Sequence, residues 1–213
     1  MASLQERFRI ARNRAQAGFT LIELIVAMGI FLVFVSLFLV AVTSLSHGMT
    51  RARLTAEASS GVLLVFQNVD RQVRYADAIS IPGNGPSGAR YIEFRIPAAS
   101  ARSFAVTCTQ WRYEPSKGTM SSREWTDAVG ATPTRWTQKL SDVIPSGDTN
   151  YPFRLLQPGA TGSTKQQFEL SIDSGNAGLE SGAEITTRFV ARNSSTSSPT
   201  NVGGSICTTV PRP

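Results

Sequence analysis

Histidine is almost missing from this chain: His47 is the only one in 213 residues. Its scarcity excludes Ser/His/Asp triads away from residue 47, the HExxH zinc helix and Cys/His metal clusters, and no glycine-rich phosphate loop follows a strand-like run. Aspartates and glutamates remain for acid–base chemistry, but their spacing singles out no pair. Nothing in the sequence calls for a metal or another cofactor. Charge is also thin, at 17 % of residues. No proline occurs before Pro82, so no residue in the first third removes a helical backbone donor or clashes one turn back. Cysteine is limited to Cys108 and Cys207.

What is present begins with an apolar run. From Ile22 to Val42 the only ionisable residue is Glu23 and the only neutral polar one is Ser36. A helix needs roughly 20 apolar residues to cross a bilayer, and this run exceeds the h-region of a cleaved secretory signal, about 7–15 residues. Arg7, Arg9, Arg12 and Arg14 precede it against one acid, Glu6. The positive-inside rule keeps those arginines cytoplasmic and puts everything after Val42 outside the cytoplasm. The net charge of +6 is largely this leader's. Without the four arginines and one glutamate of residues 1–18, the remainder carries 17 basic and 14 acidic residues, a net +3. That balance makes no case by itself for a nucleic-acid partner. Both cysteines fall in the external part, where an even count favours one disulfide.

Glu23 is the residue that needs a reason. A carboxylate well inside a membrane costs about 2.5–3.5 kcal/mol on insertion scales. A signal anchor with the acid eased by the helix N-terminus is the simpler reading, but it leaves Gly18 and Phe19 without meaning. Gly18-Phe19-Thr20-Leu21-Ile22-Glu23, after a basic leader and before an uninterrupted apolar run, resembles the class III signal of type IV pilins and type II secretion pseudopilins. The resemblance implies cleavage between Gly18 and Phe19 by a prepilin peptidase, and methylation of the new terminus at Phe19. It further implies an inner-membrane assembly platform, membrane lipid as solvent before assembly, and other pilins or pseudopilins as partners. Glu23 would then meet the terminal amine of a neighbouring subunit. Val40 stands in the region where many main pilins carry a kinking proline, which leans towards a minor pilin or pseudopilin.

Beyond the run the helical pattern continues. Val62, Val65, Phe66, Val69, Val73 and Ala76 recur at three- and four-residue intervals among polar residues, an amphipathic face suited to a sheet. A helix from Phe19 to about Asp77 would be on the order of 88 Å long. Gly48 and Gly61 interrupt it, each costing about 1 kcal/mol relative to alanine. The breaker cluster at 82–90 then ends the helix. Runs at 91–96, 103–113, 167–172 and 183–192 suit half-buried strands, 114–118 a hairpin turn, and 140–145 and 153–157 weaker strands.

The organisation expected is a leader (1–18), a membrane or filament-core helix (19–45), its amphipathic continuation (46–80), a β-rich extracytoplasmic domain (81–192) and a Ser/Thr/Gly/Pro-rich tail (193–213) with little capacity to form a core. The fold class is α+β, one long helix on an antiparallel sheet, in agreement with the pilin ladle. The stretch 111–123 also resembles a strand–turn–strand of J-type pseudopilins. A Cys108–Cys207 bridge would close a loop of nearly a hundred residues, worth about 4.7 kcal/mol in the chain-entropy model, and would pin the tail as pilins often do.

Two binding readings compete with a purely structural one. Trp111-Arg112, Trp125 after Arg123, and Arg135-Trp136 could stack bases and neutralise phosphates, as a DNA-uptake pilin requires. Strand alternation offers the alternative of buried tryptophans with solvated neighbours, and the small net charge favours it. Asp173, Asn176 and Glu180 could offer oxygens to calcium, but the loop lacks the EF-hand pattern and reads as a solvated turn. Asn193-Ser194-Ser195 fits a glycosylation sequon.

Overall fold

The structure, a computed structural model, describes residues 18–159, 162–176, 178 and 181–213. A single helix, α1, runs unbroken from Leu21 to Tyr75, passing through Gly48 and Gly61. The chain divides into two compact units between Met49 and Thr50.

In the first unit α1 is bare. Phe31, Phe34, Leu37, Phe38 and Leu45 are all exposed, and this stretch is long and apolar enough to cross a membrane. Two of its hydroxyls bond back to the helix: Ser36 Oγ donates to Leu32 O at 2.8 Å and Thr43 Oγ1 to Leu39 O at 3.0 Å. Such back-bonding lets hydroxyls sit in an apolar run without an orphaned donor.

In the second unit α1 buries Val62, Val65, Phe66, Val69 and Val73, the residues the spacing picks out. They pack on an antiparallel sheet formed by β1 (Ala78–Ile79), β2 (Gly83–Asn84), β3 (Arg90–Ile96), β4 (Thr107–Glu114), β5 (Thr119–Thr126) and β6 (Thr137–Leu140). The order is β1-β3-β4-β5-β6, with β2 also on β3. A second antiparallel sheet, β7 (Phe153–Leu156), β8 (Gln167–Asn176) and β9 (Ser181–Val190), adds Phe153, Phe168, Leu170, Ile172 and Phe189 to the same core. β8 alternates strictly between buried and half-buried, as a strand with one face on a core must. Each fully buried side chain of this size contributes about 1.5–3 kcal/mol over its exposed state. Gly61 lies against β6: a Cβ there would sit 2.9 Å from Leu140 Cδ1.

The helix stops at Tyr75, just short of Asp77, because Ala78 and Ile79 join β3 and Asp77 takes a bidentate ion pair from Arg95. Two features differ from the expectations. There are two sheets, not one, and the isolated bridge Val143↔Ser174 ties the segment after β6 to β8 of the second. The tail is structured: it contains a 3₁₀ turn at Pro199–Val202 and buries Ile206, Cys207 and Val210 beside Ala78, Cys108 and Trp125. The first sheet is therefore covered on both faces, by α1 on one and by the chain's last residues on the other.

Hydroxyls and one ion pair make this second layer workable. Ser198 Oγ donates to Asp77 O at 2.6 Å, and Gln166 Nε2 to Thr200 Oγ1 at 2.7 Å. Glu93, buried on the outer face, accepts from Ser80 Oγ (2.6 Å), Gln110 Nε2 (2.8 Å) and the guanidinium of Arg212 (2.9 and 2.5 Å). Glycines make room for the segment: a Cβ at Gly85 would lie 2.5 Å from Pro213 O.

Candidate functional site

The first candidate is the start of α1. Gly18, Phe19 and Thr20 precede the helix in irregular, exposed backbone. Among the described residues nothing lies within 4 Å of a Cβ built on Gly18, and Phe19 is 83 % exposed. Thr20 acts as N-cap, its Oγ1 accepting the Glu23 N–H at 3.2 Å. This is one half of a T-x-x-E capping box, with Glu23 in the third helical position, where the positive end of the helix favours a carboxylate. Thr20 is a functional residue the sequence reading passed over, and the Thr-x-x-Glu spacing was the signal for it. Glu23 lines a shallow apolar groove of about 310 Å³ with Ile22, Val26, Ala27 and Ile30, and its carboxylate has no ion-pair partner among the described residues. An anion on apolar helix surface, unpaired among the described residues, suits a cation brought by another chain. The leader's arginines, Arg7 to Arg14, lie outside the described residues.

The second candidate is the tryptophan set, and the structure disperses it. Trp111 faces α1, 1 % exposed, its Nε1 donating to Gln72 Oε1 at 2.7 Å. Trp125 lies on the opposite face against the Cys108–Cys207 disulfide, its Nε1 donating to Thr209 Oγ1 at 3.0 Å. Trp136 alone is half-buried, held between Arg112 at 4.3 Å and Arg123 at 4.4 Å from its ring centre. Arg135 is exposed. Register explains the sandwich, since Arg112 pairs with Ser121 and Gln110 with Arg123. Arg112 and Arg123 thereby lie on one face of adjacent strands, a relationship that chain neighbourhood does not reveal. The two guanidiniums serve to clamp the residue just before β6 through cation–π contact, and Arg123 also holds Gln110 Oε1 and Pro211 O at 2.8 and 3.0 Å.

The calcium candidates do not converge. Asp173 opens into one cavity and Asn176 lines another, while Glu180 lies outside the described residues. Among the described residues no group of three or more His, Cys, Asp or Glu could hold a metal ion. Burial, and then Glu184 directly opposite on β9, raise the Asp173 carboxyl above its ordinary range. Burial pushes the Tyr151 phenol beside it up to about 12. The sequon asparagine is already engaged: Asn193 Nδ2 donates to Tyr75 O at 3.0 Å and to Ser100 Oγ.

Residues 13–42 match the family model of the prokaryotic N-terminal methylation motif. No curated protein matches the chain significantly. The motif supports a type IV pilin-like protein that builds filaments, and it covers the start of α1 with the residues before it, leaving the second unit unmatched.

Proposed function

We propose that this chain is a minor pilin or pseudopilin, a structural subunit rather than an enzyme. A prepilin peptidase removes the leader after Gly18, the new terminus at Phe19 is methylated, and α1 passes from the inner membrane into a pilus or secretion filament. The observation that carries this reading is the methylation motif on a helix whose whole first half is uncovered. Surface that apolar needs either lipid or other helices around it. Glu23 acts as the register of assembly: near the interface in the membrane it is held by the helix N-terminus, and in the filament it meets the amine of a neighbouring Phe19. Removing one side of such a pair costs about 3–5 kcal/mol, because the surviving charge is stranded. Glu23→Ala should therefore remain membrane-inserted yet disappear from the sheared filament fraction. Recovery of Glu23→Ala in that fraction at wild-type amounts would overturn the role given to this residue.

A further inference from the structure

Away from α1's first half, the second unit carries two pockets lined by opposite charges. At the Tyr75 end, a groove of about 570 Å³ lies between α1 and the loop that links β3 to β4. Arg71 and Tyr75 stand on one wall, Arg102 and Ser103 on the other, and Glu124 is the single acid. Arg71 makes only a long hydrogen bond to Asn68, 3.4 Å, and Arg102 has no ion pair among the described residues. Arg192 is exposed beside the groove, next to the Asn193 that bridges Tyr75 and Ser100.

The second pocket is acidic. A cavity of about 300 Å³ is lined by Asp148, Asp173 and Glu184 with Tyr151, Ser171 and Thr186, and by no lysine or arginine. It lies towards the start of the unit, since Ser174–Asn176, the next residues of β8, share a cavity with Leu54, Glu57 and Ala58. Leu54 and Tyr75 are about 30 Å apart along a helix rising 1.5 Å per residue. Asp173 and Glu184 are direct cross-strand partners, and like charges so placed destabilise a sheet. The raised Asp173 carboxyl expresses that repulsion together with burial. Two guanidiniums arriving there would relieve it with charge-assisted bonds.

We infer that the Arg71/Arg102 groove of one copy receives the Asp148/Asp173/Glu184 face of a second copy, as a head-to-tail contact between successive subunits. The occupant follows from charge complementarity: this chain carries both halves, at opposite ends. A two-fold dimer through either patch would set like against like, whereas a heterologous contact that does not close generates a helical filament. The inference rests on the filament reading and gives it a specific surface.

The test uses the full chain in its own membrane, with Ser103→Cys in the groove and Thr186→Cys in the acidic cavity, joined by a short bismaleimide. A ladder of cross-linked multimers is expected in the filament fraction. It should fall at least tenfold with Arg71→Glu plus Arg102→Glu, and return when Asp173→Arg and Glu184→Arg are added. Raising salt before cross-linking should weaken it, as exposed pairs are screened. If filaments form but the ladder is absent, or the arginine reversals leave it unchanged, the head-to-tail contact is wrong and the filament reading stands. If the processed wild-type chain forms no filament at all, both fail.

Discussion

Arg212→Ala should unfold the second unit far more easily than a substitution so near the last residue normally does. Its guanidinium makes a two-pronged contact with Glu93, whose side chain is 5 % exposed, while the arginine itself is 27 % exposed. Deleting the cation leaves the buried carboxylate with Ser80 and Gln110 as neutral donors, so the loss belongs at the lower end of the range for breaking buried pairs, about 3 kcal/mol. With a urea m-value of about 2 kcal/mol/M for a unit of this size, the midpoint should fall by about 1.5 M. Glu93→Gln should cost less than half as much, because the arginine it strands can turn to water. Urea titration of the detergent-solubilised chain, read by tryptophan fluorescence, measures this directly, since Trp111, Trp125 and Trp136 all lie in the second unit. A midpoint shift for Arg212→Ala below about 0.5 M would refute the reasoning, since that is the size of a surface pair. So would equal costs for the two variants.

Replacing both cysteines by serine opens the loop closed across a separation of 99 residues and should lower stability by about 4.7 kcal/mol in the same titration; dithiothreitol on the wild type should reproduce the loss. The Asp173 carboxyl is raised by burial and by Glu184, so its folded pKa lies above the unfolded value near 3.8. Its stabilising contribution is then complete below that unfolded value and lost as pH rises through the folded one. Asp173→Asn should accordingly be more stable than wild type at neutral pH, and the two urea curves should converge at about pH 3.

The part of this fold carried by periodicity was legible. Val62 to Val73 mark α1's buried stripe, and the alternation of Phe168, Leu170 and Ile172 marks β8. The turn at 114–118 also lies between β4 and β5. Elements whose partners are distant in sequence were not. The tail reads as core-poor because serine and threonine are polar, yet Ser194 and Ser198 are buried by satisfying backbone groups of other segments. Arg212 looks like a stray charge until β3 brings Glu93 beneath it. Strand alternation, the favoured reading of the tryptophans, places Trp111 and Trp125 in the interior, and only the Trp136 sandwich was hidden. Adjacent residues on a strand face opposite ways, so Trp111 enters the core while Arg112 turns to Trp136, a residue 24 positions further on. At the start of α1, by contrast, the candidate site is local: Gly18, Phe19, Thr20 and Glu23 lie within six consecutive residues.

Everything proposed for α1 depends on processing at Gly18–Phe19, and the intact mass of the protein extracted from its native membrane tests it most directly. The account predicts a chain beginning at Phe19 and carrying one added methyl group. A mass that retains residues 1–18, from cells with an active prepilin peptidase, would contradict it and leave Glu23 as the acid of an ordinary membrane anchor.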